Sequence, residues 1–166
     1  MENNHQKKMQ GMNDMKKDNS YRKLFIMLLS FISMYILMYS MVNSIKNVYP
    51  NINQFYMAGL MTMPMMIIEL GLMGKMYMNK KLNAILISLS SVALITFFLL
   101  IQNQTGVTDR QFLRGMIPHH AAAILMSEQS KSTDPEIKKL QQEIISSQQE
   151  EIKVMKAKLK ELKSSF

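Results

Sequence analysis

Residues 82–101 read LNAILISLSSVALITFFLLI, and this run decides what kind of fold the chain can have. It carries no charge, and at about 1.5 Å per residue its roughly 30 Å matches the apolar thickness of a bilayer. Two further apolar runs precede it, at 24–42 and 55–73, the second interrupted by Pro64 and Glu69. Ser30, Ser33 and Ser40 do not spoil the first run, because a helical serine can bond back to its own helix's carbonyls. Three such runs predict three transmembrane helices, at about 24–42, 55–73 and 82–101. A cleaved signal peptide fits poorly: the first run is long, no clear small-residue cleavage site follows it, and two more runs come after.

The net charge is +8, and its distribution sets a direction. Lys7, Lys8, Lys16, Lys17, Arg22 and Lys23 precede the first run, and Lys75, Lys80 and Lys81 separate the second from the third. Residues 46–54 hold one lysine, Lys46. Keeping the positive loops inside predicts a multi-pass cell-membrane protein with a cytoplasmic N terminus and an extracytoplasmic segment from Val107 onward. Basic residues at span ends point to membrane lipid as the partner; no basic motif interleaved with aromatics points to nucleic acid.

Two features inside the runs carry chemistry of their own. Glu69 lies about 9 Å along a helix axis from Lys75, so it can reach the cytoplasmic interface; an ion or proton role is the alternative. Pro64 predicts a kink among Met61, Met63, Met65 and Met66, read as packing around the bend. Met27, Met34, Met38 and Met41 share one helical face of the first run, as a helix–helix contact would require.

Beyond residue 101 the composition turns polar. Residues 102–106 form a link, and Thr108 with Gln111 makes a capping-box pattern that starts a helix. On that helix Phe112, Met116, His119, His120 and Ala123 fall on one face, with Met126 beside His119. Pro118 within it removes one backbone hydrogen bond and frees the carbonyl of Arg114. The helix is expected to stop near 130–132. Thr133 or Asp134 then caps a second helix, with Pro135 in its first turn, running to about Leu162. Ile137, Leu140, Ile144, Ile152, Met155, Leu159 and Leu162 make its apolar stripe, broken by Gln148 and Glu151. Folding back about 131–134 sets that polar gap against Met116 and His119. The expectation is an all-α chain in three parts: a basic tail (1–23), a membrane region (24–101) and an extracytoplasmic helical hairpin (105–166).

The stretch MIPHH at 116–120 holds two of the chain's three histidines beside a methionine. Thioether and imidazole together suit soft ions such as Cu(I) and Ag(I). The absence of cysteine excludes disulfides and thiolate sites, and the 19 methionines fit both adaptable packing and soft-metal handling. In the tail His5, Met9, Met12 and Met15 recur at helical spacing, a weaker donor set whose alternative is a solvated basic arm.

The pattern Asp109-x-x-Phe112-x-x-x-Met116-Ile-Pro-His119-His120, then Ala123-x-x-Met126, then Gln148-x-x-Glu151-Ile152-x-x-Met155, resembles the bacterial domain-of-unknown-function family three-zero-five over about residues 108–162. The resemblance implies a ferritin-like helical fold, extracytoplasmic copper binding, and Met116, His119, His120, Met126 and Met155 as ligands. Gln148 and Glu151 are weaker candidates, with His5, Met9 and Met12. The chain departs from the pattern twice. Ala157, Lys158 and Leu159 stand where an aromatic residue, usually Trp, tends to follow the last methionine, and one helical pair is present where many members have two. A lone hairpin buries little apolar surface, so a homodimer through residues 108–162, completing a four-helix bundle, is expected.

These readings converge on a membrane-anchored binding protein for Cu(I) or Ag(I) in metal tolerance or delivery, passing its cargo to a copper-handling protein. An enzyme is not expected: a di-iron carboxylate site needs Glu-x-x-His pairs on facing helices, and the hairpin contains none. The alternative is a structural or pH-sensing membrane protein that dimerises through its C-terminal helices without metal.

Overall fold

The computed structural model describes residues 25–72 and 80–164. The N-terminal tail, with His5, Met9, Met12, Met15 and its lysines, and the turn holding Lys75 lie outside the described residues. Among the described residues every regular element is helical: α1 (Phe25–Met41), α2 (Ile52–Leu72), α3 (Lys80–Gln102), α4 (Asp109–Gln129) and α5 (Pro135–Ser164). A short 3-10 turn, Ile45–Asn47, lies between α1 and α2. The all-α class expected from periodicity is therefore the class found. α2 and α3, of 21 and 23 residues, are long and apolar enough to cross a membrane. α1 is shorter over its described length, because its last turn, Met38–Met41, tightens to 3-10 and Val42 leaves in extended conformation.

The chain divides into two units. The first comprises residues 25–34, 57–72 and 80–100; the second comprises 35–56 and 101–164.

The first unit buries polar as well as apolar groups. Thr62 is 1% exposed, and Asn83 and Ser90 are buried, whereas Leu89, Val92 and Ile95 are about three-fifths exposed. The hydroxyls satisfy themselves locally. Thr62 donates to the Ala58 carbonyl at 2.7 Å, Ser91 to Ile87 at 2.8 Å and Thr96 to Val92 at 2.9 Å. Ala58, Thr62, Met66 and Leu70, four residues apart, form the buried edge of α2. Gly59 makes room for Phe97: a Cβ there would stand 2.5 Å from the ring. Glu69 borders a small cavity of about 20 Å³ with Met27, Ser30, Thr62, Met65 and Met66.

The second unit is built on the hairpin of α4 and α5. Its core is Ile117, Ala121, Ile124, Ile152 and Leu159, with Leu113 and Met155 packed against it. Ile117 and Ile124 are fully buried, worth about 1.5–3 kcal/mol each by the area they remove from water. Local capping follows the sequence. Thr108 Oγ accepts from the Gln111 amide at 3.4 Å, and Asp134 Oδ1 accepts from the Glu136 and Ile137 amides at 2.8 and 3.1 Å. The capping box at Thr108 is only half made, because the Gln111 side chain serves another helix: its Oε1 accepts from the first amide of α2, at Ile52, at 3.1 Å. Pro118 does not break α4, which is continuous from Asp109 to Gln129. The carbonyl of Arg114 that it frees is met by Asn51 Nδ2 at 3.5 Å.

Residues 42–53 are the part of this unit the hydrophobic pattern did not foretell. Val42 and Tyr49 join the hairpin core, and Lys156 donates to Asn47 Oδ1 at 2.5 Å. The link before α4 is pinned to the same segment. Tyr56 Oη donates to the Thr105 carbonyl at 3.0 Å, and Gly106, at φ +73°, lies against Ile52 and Tyr56. That positive φ is one that a side-chain-bearing residue adopts with strain.

Candidate metal centre

α4 presents three faces, and its candidate donors are divided between them. Ile117, Ala121 and Ile124 face α5. Gln111, Arg114 and Gly115 lie against residues 51–53. Phe112, His119 and Met126, seven residues apart, are exposed and belong to the remaining side. The single face expected for Phe112, Met116, His119, His120 and Ala123 is thus split, because the helix turns its Ile117 side to the partner. His120 is drawn inside to 8% exposure while His119 is left outside. Their ring centroids are 6.3 Å apart at 63°, so adjacent positions aim the two imidazoles apart.

His120 is held at both ring nitrogens. Nδ1 lies 2.9 Å from the carbonyl oxygen of Met116, one turn back. A carbonyl can only accept, so Nδ1 carries the hydrogen. Nε2 lies 2.6 Å from Glu151 Oε2 on α5. The His120 side chain is 10% exposed and that of Glu151 54%, so the contact runs from the hairpin interior to its edge. The polar break in the α5 stripe does meet α4, through Glu151 and His120; the expected meeting with His119 is not made, for the reason of facing just given.

The same pairing sets the register. With His120 opposite Glu151 in an antiparallel hairpin, Met116, one turn earlier on α4, stands opposite Met155, one turn later on α5. Met116 is half-buried, and Met155 packs on the core cluster. Met116 and Met155 therefore lie about one helical turn from the His120–Glu151 contact, each on the helix face that carries it. Gln148, half-buried, lies nearly one turn away on α5. His119 and Met126 stay on the outer side, and Met126 is 54% exposed. Among the described residues no three of His, Asp and Glu converge, so any ion here would draw on thioethers as well.

The chemistry of this stretch fits a soft cation. An Nδ1–H bonded to a carbonyl fixes the tautomer and orientation that a metal-ligating imidazole commonly has, with Nε2 as the donor atom. The thioethers of Met116 and Met155, one turn along their helices, are soft and polarisable. Glu151 already holds Nε2, so an ion would have to take its place or share it. Behind Met155 the surroundings are cationic. Burial, and next the charge of Lys46, push the Lys156 ammonium below its ordinary value of 10.5.

Sequence reasoning missed the asparagines that brace this unit. Asn43, Asn47 and Asn51 recur every four residues in what reads as a loop. Asn47 Nδ2 donates to Asn43 Oδ1 at 2.8 Å, and Asn51 Oδ1 accepts from the Gln54 amide at 2.9 Å, capping α2. That spacing, in a stretch with no apolar period, was the available signal.

The chain is similar to an uncharacterized protein of Acanthamoeba polyphaga mimivirus, 34% identical over 148 residues that cover 87% of this chain and 95% of the relative. No solved structure matches it. A family model matches residues 64–159, taking in the second half of α2 and all of α3 as well as most of the hairpin. It thus reaches well before the 108–162 span on which the motifs alone rest. By that match the chain belongs to the family described as Domain of unknown function (DUF305).

Proposed function

We propose that the chain is a membrane-anchored binding protein for a soft monovalent metal, Cu(I) or Ag(I), acting in tolerance or delivery rather than in catalysis. The observation that carries this reading is that Met116, His120 and Met155 lie within about one turn of one another along the hairpin, with His120 Nδ1 tied to the Met116 carbonyl. The soft donors His119 and Met126 on the exposed side of α4 would serve for capture or transfer. Anchoring is supported by the length of α2 and α3, and by the exposed Leu89, Val92 and Ile95 beside the buried Thr62, Asn83 and Ser90. Positive flanks favour a multi-pass topology with the N terminus in the cytoplasm and the hairpin outside. Phe112 and Met126 on α4, with Ile137, Leu140 and Val154 on α5, are exposed large apolar residues of the hairpin. A second copy covering them would complete a ferritin-like four-helix bundle.

The test is a Cu(I) titration of the full-length chain in neutral detergent against a chromogenic competitor. Tight binding that is lost in Met116→Ala and in His120→Ala, and kept in Met126→Ala, is expected. Absence of competition by the unaltered chain overturns the proposal. A second reading has its own observation: protein groups occupy both nitrogens of His120. In that reading the hairpin binds no metal, and the His120–Glu151 contact is a clasp between helices. It predicts no Cu(I) binding and a dimer whose stability changes with pH.

A further inference from the structure

The hairpin carries a second feature on its other flank, built from opposite chemistry. A cleft of about 310 Å³ lies between the start of α4 and the end of α5. Arg110 and Arg114 line it from α4, and Lys156, Lys160 and Lys163 line it from α5, over Tyr49 and Leu159. No carboxylate lines it. Among the described residues, Arg110, Arg114, Lys156 and Lys163 take part in none of the ion pairs, whose acids are Glu143, Glu150, Glu151 and Glu161. The spacing is ordered. Two arginines four apart and three lysines at intervals of four and three each occupy one helical face.

Arg110, Arg114, Lys156 and Lys163 around one cleft repel one another, and an anion within it would relieve that repulsion. The donor set selects the kind of anion. Paired guanidinium forks match tetrahedral oxyanions, lysines add point charges, and no soft donor is present to favour a metal. The volume lies near the lower end of the ~300–1,000 Å³ typical of small-ligand sites. An aromatic ring and a leucine beside the cations suit an anion that carries an apolar arm. The geometry points to a phosphate-binding site, formed by Arg110, Arg114, Lys156, Lys160 and Lys163, that takes a phosphomonoester group.

Such a group has two sources, a soluble phosphate or the headgroup of an anionic lipid. Arg110 lies eight residues beyond the end of α3 at Gln102, and Tyr49 three residues before α2 begins at Ile52. If those helices span a membrane, as in the reading above, a headgroup phosphate is a source to be tested beside a soluble one. The phosphate chemistry itself does not depend on Cu(I) binding, and its test is read without metal.

The experiment uses the full-length chain in neutral detergent and in nanodiscs. One arm titrates inorganic phosphate by calorimetry. The other measures lipid retained by native mass spectrometry after exchange into phosphatidylcholine nanodiscs with and without phosphatidic acid. Arg114→Gln combined with Lys160→Gln is compared with Lys139→Gln combined with Lys153→Gln, which removes the same charge from the exposed side of α5. The cleft variant is expected to lose at least about tenfold in affinity, the effect of one charge-assisted hydrogen bond, and the control to stay within about twofold. Arg114→Lys, which keeps the charge and removes the fork, is expected to bind several-fold more weakly. It also covers the case in which the double variant loses its helical circular dichroism. Saturable binding of free phosphate identifies a soluble anion, and selective retention of phosphatidic acid without it identifies the lipid; either supports the site. Binding of neither probe, or an equal loss in the control, overturns it.

Discussion

Replacing Glu151 by alanine separates the structural role of the His120–Glu151 contact from its role toward metal. His120 is buried, and its Nε2 meets Glu151 Oε2 at 2.6 Å. A hydrogen bond to a charged partner is worth about 1.5–3 kcal/mol. Glu151 is half-exposed, so water screens the pair and can replace part of the lost bond. The lower end applies, about 1–1.5 kcal/mol of lost stability. If an ion displaces Glu151 from Nε2, the variant has no such contact to give up when it binds. Cu(I) affinity is then expected to rise by up to about tenfold, the equivalent of ~1.4 kcal/mol. Stability is read from urea unfolding followed by helical circular dichroism, and affinity from chelator competition at the same pH. The two must move in opposite directions. Unchanged stability refutes the contact as a clasp; weaker Cu(I) binding refutes displacement and makes Glu151 a ligand.

Three further outcomes follow from the packing. Ile117→Ala, at the fully buried centre of the hairpin, should cost about 2–5 kcal/mol in urea unfolding, whereas Met126→Ala on the exposed side should stay within about 0.5 kcal/mol. Gly59→Ala gains about 1 kcal/mol of helix propensity yet forces the Phe97 ring from its seat, for a net loss of about 1 kcal/mol. With Phe97→Ala in place the same substitution should become stabilising, a sign reversal readable in denaturation from detergent micelles. Lys156 provides a pH dependence. Its ammonium is held below 10.5 in the folded chain, so between that lowered value and 10.5 the unfolded chain binds more protons. Stability therefore rises with pH through that window. The penalty is present in full below it and gone above it, and Lys156→Gln should flatten that part of an alkaline unfolding series.

Much of the architecture could be read one segment at a time. The ends of α4 and α5 are announced by Thr108, Asp134 and Pro135, whose preferences act within a few residues. The apolar runs announce α2 and α3 for the same reason. The α5 stripe was only partly legible: Ile152 and Leu159 are buried, yet Ile137 and Leu140 are about half exposed. Periodicity shows that those residues share a face; it does not show how far along that face a partner lies. The role of residues 42–53 was not legible, because Asn51 and Lys156 find their partners 63 and 109 positions away. No local pattern encodes such a distance.

The sequence by itself determined the helical class, the apolar runs that become α1, α2 and α3, the hairpin turn, and a supply of imidazole and thioether donors with no thiol. These follow from side-chain type and spacing, which act within a few turns of chain. Tertiary structure alone decided that His120 lies inside and His119 outside, that Glu151 meets Nε2, and that Met155 packs on the hairpin core. It also gathered Arg110, Arg114 and three lysines of α5 around one cleft. Each of these depends on which residue of a second helix arrives opposite the first. That register is settled by the burial of Ile117, Ala121 and Ile124 against Ile152 and Leu159, and by residues 42–53 closing one flank.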